Sequence, residues 1–140
     1  MNLPFRTVAK EVPTAIAALA GVGIIYVGGR FLLDPAAAAD GYGVTVSPAE
    51  VGPYLAIKGV RDITSGLVPL ALLAAGQRRA FGWALLASAF TPCSDMIIVL
   101  RNGGTPGVAY GVHGLTAATL VVVAALILGQ TRPAATASAR

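Results

Sequence analysis

Residues 54–73 read YLAIKGVRDITSGLVPLALL, a stretch with the length and apolar content of a membrane-spanning helix. Lys58, Arg61 and Asp62 stand near its middle, where a charge facing lipid costs several kcal/mol. The rest of the chain decides how to read that conflict. Of 140 residues, 56% are hydrophobic and 11% are charged, with a mean hydropathy of +0.75, against roughly 25% charged in soluble domains. The expectation is a multi-pass protein of the cell membrane, whose partners are the lipid bilayer and whatever the charged stretch binds. The net charge of +4 does not signal nucleic acid. The few basic residues are scattered, and no basic patch or aromatic platform can be assembled from them.

Working outward, four apolar runs of spanning length follow one another, at about 13–33, 51–75, 80–100 and 107–128. The first has no small-residue cleavage site after a short core and reads as a retained span. It ends in DPAAAADGYG, where Asp34-Pro35 and the glycines break the helix. The second opens with SPAE, in which Ser47 is a cap and Pro48 and Glu50 sit in the first turn. GQRR makes a tight hairpin to the third, and RNGGTPG turns into the fourth. No period-2 alternation supports a β-barrel. The predicted fold is all-α, a four-helix transmembrane bundle forming one domain over residues 1–131, with 132–140 a disordered tail.

Orientation follows from the basic residues. Arg6 and Lys10, then Arg78 and Arg79, then Arg132 and Arg140 fall on one side. The other side has Arg30 and Arg101, so the positive-inside rule puts both the N- and C-termini in the cytoplasm. At 1.5 Å per residue, Lys58, Asp95 and His113 all lie roughly 8–10 Å below the outer ends of their helices. Arg30 is a little higher, and Arg61 and Asp62 are deeper.

Helical phase gathers these groups. Lys58, Arg61, Asp62 and Ser65 are spaced i, i+3, i+4 and i+7, one stripe of a helix. Ser88, Thr91, Ser94 and Asp95 follow a similar spacing on the third helix, and His113 and Thr116 are i, i+3 on the fourth. Polar faces of this kind must point into the bundle, toward a water-containing pocket open to the outer side. Glycines in the first and second spans permit close helix approach. Arg61 is expected to pair with Asp95 on the next helix, or with Asp62 only through water, because adjacent residues such as Arg61 and Asp62 do not face one another. The plainer account gives the same groups a structural role: ion pairs that fix helix register, a lysine that snorkels outward, a histidine bonded to a hydroxyl. Tyr26, Tyr54, Tyr110 and Trp83 near span ends fit an aromatic belt. Pro69 and Pro92 predict local kinks. Cys93 reads as an inert small residue.

The motifs GGRFLLDPAAAADGYGV, AIKGVRDITSGL, SDMIIVLRNGG and GVHG together resemble a family of small four-span membrane proteins catalogued as a domain of unknown function. The likeness covers nearly the whole chain. It implies the fold and marks Arg30, Asp34, Lys58, Arg61, Asp62, Asp95, Arg101 and His113, but brings no activity with it.

The chemistry suited to a carboxylate, a histidine and cations in apolar surroundings is acid/base work on a lipophilic small molecule: isomerisation, cyclisation or epoxide opening. Asp95 and His113 are then the acid/base candidates, with Asp62 orienting Lys58 or Arg61. Arg30, Ser65 and Thr91 join Lys58 and Arg61 as binding residues. His113, Asp62 and Asp95 come from three helices without a metal-ligand spacing, so neither metal nor other cofactor is expected. Two other classes use the same residues differently. A proton-coupled transporter uses them as a relay and calls for a homo-oligomer, whereas an accessory subunit uses them for register and has a filled core. Cavity volume separates these readings.

Overall fold

The computed structural model describes the backbone of residues 3–131 and the side chains of residues 10–47 and 51–131. The expected disordered tail at 132–140 lies outside the described residues. Among these residues all regular structure is helical, without a strand: α1 (Leu3–Leu33), α2 (Pro35–Tyr42), α3 (Pro48–Ala74), α4 (Arg78–Ser88), α5 (Phe90–Arg101), the single turn α6 (Pro106–Val108), a π-helical segment (Ala109–Gly114) and α7 (Leu115–Gln130). Three stretches are long and apolar enough to cross a membrane: Lys10–Leu33, Arg78–Arg101 and Pro106–Gln130. Leu19, Leu33, Phe90 and Leu115 are each more than 60% exposed. Such apolar surface suits lipid rather than water.

Local chemistry explains the breaks. Asp34 ends α1 and caps α2, accepting from the Ala37 amide at 3.2 Å, with Pro35 in the first turn. The stretch expected to be a simple break therefore contains a short helix of its own. Gly43 stops it at φ 92°, a left-handed conformation, and a Cβ there would also collide with Val108 and Val99. Ser47 occupies the N-cap of α3 in an extended conformation, but its hydroxyl makes no capping bond. The third apolar run is divided at Ala89. Pro92 has no amide to give the Ser88 carbonyl, and its ring crowds that carbonyl, which accounts for the kink expected there. Pro69 stands in the same relation to Ser65 within α3.

The long helices form a ring in which α1 packs on α3 and α7, and α4 packs on α3 and α7. The α1–α3 seam is the tightest. A Cβ on Gly28 would lie 2.5 Å from the Gly59 carbonyl oxygen, and one on Gly59 would lie 2.7 Å from that of Gly28. One level down, a Cβ on Gly66 would collide with the Gly21 carbonyl oxygen, whereas one on Gly21 would lie 3.5 Å from that of Gly66. One end of the ring is filled by an apolar cluster of Ala17, Phe81, Leu85, Leu120, Val123 and Ile127, with Ala89 and Ala124. The polar groups lie at the other end, beneath α2.

Candidate functional site

Above the apolar cluster, the helices enclose a cavity of about 730 Å³. Its walls are mainly apolar, drawn from α1, α3, α5 and α7. Asp62, Asp95 and His113 line it, as do Arg30, Ser65, Thr91 and Thr116. Three helices thus deliver the two acid/base candidates, Asp95 and His113, and the orienting Asp62 to one space. The end near α2 is lined by Ala37, Ala38, Gly41 and Tyr42, so the segment that follows the first span forms part of the site.

Tyr42 is the centre of the polar cluster. Its hydroxyl donates a short hydrogen bond to Asp95 Oδ2. His113 Nε2 lies 3.0 Å from the Tyr42 carbonyl oxygen. A carbonyl only accepts, so Nε2 carries the proton in this bond and Nδ1 is left as the basic nitrogen. The His113 and Tyr42 rings meet edge to face at 4.5 Å, and Phe31 meets Tyr42 at 5.7 Å. Burial, reinforced by the bond to Asp95, pushes the Tyr42 phenol far above its ordinary pKa, so it remains a donor.

Lys58 Nζ lies 2.6 Å from Asp62 Oδ2, one helical turn along α3. The same ammonium sits over the Phe31 ring at 4.4 Å and the Tyr42 ring at 4.1 Å, a cation between two aromatic faces. Asp62 is buried and His113 is 4% exposed. Both are therefore held rather than solvated, each with a polar partner. The Ser65 hydroxyl donates to the Asp62 carbonyl at 2.8 Å, and that of Thr116 to the Val112 carbonyl at 2.7 Å.

The pairing expected for Arg61 is not formed. Asp95 accepts from Tyr42 instead, and Arg61 points into a second space of about 450 Å³ between α3 and α4. The physical reason is that the stripe on α3 straddles two grooves. Asp62 falls on the cavity side and Arg61, about 100° before it, on the side facing α4. Lys58 does not line the main cavity but acts on it through Asp62, Phe31 and Tyr42. Arg30 lines the cavity and is exposed. Of the other family-marked positions, Asp34 is the cap of α2, and Arg101 is the exposed last residue of α5. Among the described residues no three His, Cys, Asp or Glu side chains are grouped to hold a metal ion.

Sequence reading missed Tyr42 and Phe31. Both belong to quoted motifs, but only the packing of α2 against α1 and α3 brings Tyr42 to Asp95 and His113, and Phe31 to Tyr42 and Lys58. The π-helical segment, in which the Leu115 amide reaches the Tyr110 carbonyl, is itself a local departure from α-geometry around His113.

A family model described as a domain of unknown function (DUF4267) matches residues 21–127, more than half of the chain. That range contains every residue of the cluster. No curated protein and no solved structure matches.

Proposed function

The chain belongs to the DUF4267 family, a domain of unknown function, and from that premise we propose a four-span membrane protein, both termini cytoplasmic, that binds a lipophilic small molecule in the inter-helix cavity and acts on it by acid/base chemistry. The observation that carries this reading is the cavity of about 730 Å³, apolar along its walls and polar where Tyr42, Asp62, Asp95 and His113 meet. An accessory subunit held only by ion pairs has no use for such a space. A transport path through a single chain has to pass the apolar cluster around Phe81, Leu85 and Ile127, which are each at most 2% exposed.

On this reading the roles divide by geometry. Nδ1 of His113 faces away from the Tyr42 carbonyl bond and takes a proton from the substrate. His113 returns that proton at a second atom, and the Asp95 carboxylate, held by Tyr42, stabilises the positive charge that His113 carries in between, so the composition of the substrate and the state of the protein are both restored and the reaction is an isomerisation or cyclisation. Asp62 holds Lys58, whose positive charge stabilises negative charge developing nearby.

Detergent-purified protein screened by thermal shift and native mass spectrometry against lipids and apolar metabolites tests the reading, with Asp95→Asn and His113→Ala in parallel. The expected result is a retained apolar ligand whose conversion stops in both variants. Silence from every ligand, with both variants merely less stable, overturns it in favour of a structural cluster.

A further inference from the structure

Arg61 has no assigned task in that scheme. It stands midway along α3, roughly 20 Å from either end of the helix, farther than its side chain extends. Neither nearby carboxylate serves it: Asp62 is engaged by Lys58, and Asp95 accepts from Tyr42. No hydrogen bond or ion pair ties Arg61 to any described residue. An unpaired guanidinium at that depth is costly, and anionic oxygens are the partners its planar fork fits.

The surroundings say what kind of anion. The cleft of about 450 Å³ is lined by Arg61, Thr64, Ser65 and Ser88 together with Val68, Pro69 and Ala84, and no carboxylate lines it. Thr64 and Ser65 already donate to backbone carbonyls at 2.9 and 2.8 Å. The Ser88 hydroxyl has no partner among the described residues and is free to donate beside Arg61. Ser65, Pro69 and Ser88 line this cleft and the main cavity alike. The two spaces therefore share a neck, at the level where Pro69 and Pro92 disturb their helices.

We infer that the cleft between α3 and α4 holds the anionic head group of an amphiphile against Arg61 and Ser88, while its apolar tail passes the neck into the main cavity. The inference rests on the ligand-binding reading above and names the class of ligand: one acidic group, a carboxylate or phosphate, on a single apolar chain.

The test uses the full chain in an uncharged detergent, with oleate, oleyl alcohol and inorganic phosphate as probes, read by thermal shift and native mass spectrometry. Wild type is expected to bind oleate roughly tenfold to a hundredfold more tightly than the alcohol, as a charge-assisted contact implies. Arg61→Gln brings oleate to the level of the alcohol, and Arg61→Lys keeps part of the preference, which separates a lost contact from a lost fold. Thr119→Trp, which fills the main cavity away from the cleft, abolishes binding of both apolar probes. Equal binding of acid and alcohol by wild type overturns the inference, as does phosphate alone matching oleate, or a dimer that Arg61→Gln dissolves. If Arg61→Gln keeps the acid preference while Thr119→Trp still blocks binding, the head-group site falls and the cavity reading stands. If Thr119→Trp changes nothing, the tail lies outside the cavity and both fall.

Discussion

Tyr42 engages the cluster through two atoms at once, its hydroxyl on Asp95 and its carbonyl on His113. Tyr42→Phe keeps the ring against Lys58 and His113 and removes only the hydroxyl. The half-buried Asp95 carboxylate then loses its donor, and the expected cost is about 1–3 kcal/mol, seen as a lower Tm in one detergent. A Tm equal to wild type would mean that water replaces the hydroxyl. The Lys58–Asp62 pair gives a sharper test, because partner removal and pair removal differ in sign of expectation. Asp62→Leu leaves an ammonium between Phe31 and Tyr42 without its counter-charge and is strongly destabilising, by about 3 kcal/mol or more. Lys58→Met with Asp62→Leu removes the stranded charge as well, so the double variant should be more stable than the Asp62→Leu single. Additive losses in a double-mutant cycle would mean that the two side chains do not interact.

At the scale of elements, the α1–α3 seam should tolerate no added carbon where backbones touch. Gly28→Ala places a Cβ 2.5 Å from the Gly59 carbonyl and 2.9 Å from Ile63, an overpacking cost of about 1–3 kcal/mol. Its neighbour is the control: a Cβ on Gly29 meets nothing within 4 Å, so Gly29→Ala should be neutral or stabilising by up to about 1 kcal/mol. Equal effects of the two substitutions on Tm would mean that the seam is looser than drawn. The same scale shows what was legible in the sequence. The spacing of Lys58, Arg61, Asp62 and Ser65 revealed a polar face on α3, and the matched depths of Asp95 and His113 revealed that the polar groups meet. A stripe about 100° wide, however, reaches two grooves, and periodicity does not say where the dividing line falls. Arg61 was therefore assigned to the wrong partner. Tyr42 escaped because its neighbours Gly41 and Gly43 signal a turn, and a turn signal carries no direction. The slip to a π-helical pattern around His113 left no mark in residue type either.

For the whole molecule, the deciding quantity is the number of crossings. Three stretches qualify as spans by length and apolarity alone, and α3 is set apart from them by Lys58, Arg61 and Asp62. If α3 does not cross, the termini lie on opposite sides; if it does, they share one. Packing favours the crossing: α3 runs antiparallel to α1, Gly59 opposite Gly28 and Gly66 opposite Gly21, alongside a helix that is itself apolar enough to span. Its ion pair is covered by Phe31 and Tyr42, so much of the charge faces protein rather than lipid. The lone cysteine makes the prediction easy to check, since Cys93→Ser gives a clean background. Thr45, Gln77 and Asn102 are all exposed in connections between helices. In intact cells, an impermeant maleimide should label Thr45→Cys and Asn102→Cys from outside, and reach Gln77→Cys only after permeabilisation. Labelling of Thr45→Cys and Gln77→Cys from the same side would remove α3 from the membrane, and with it the reason for Arg61 to need an anion.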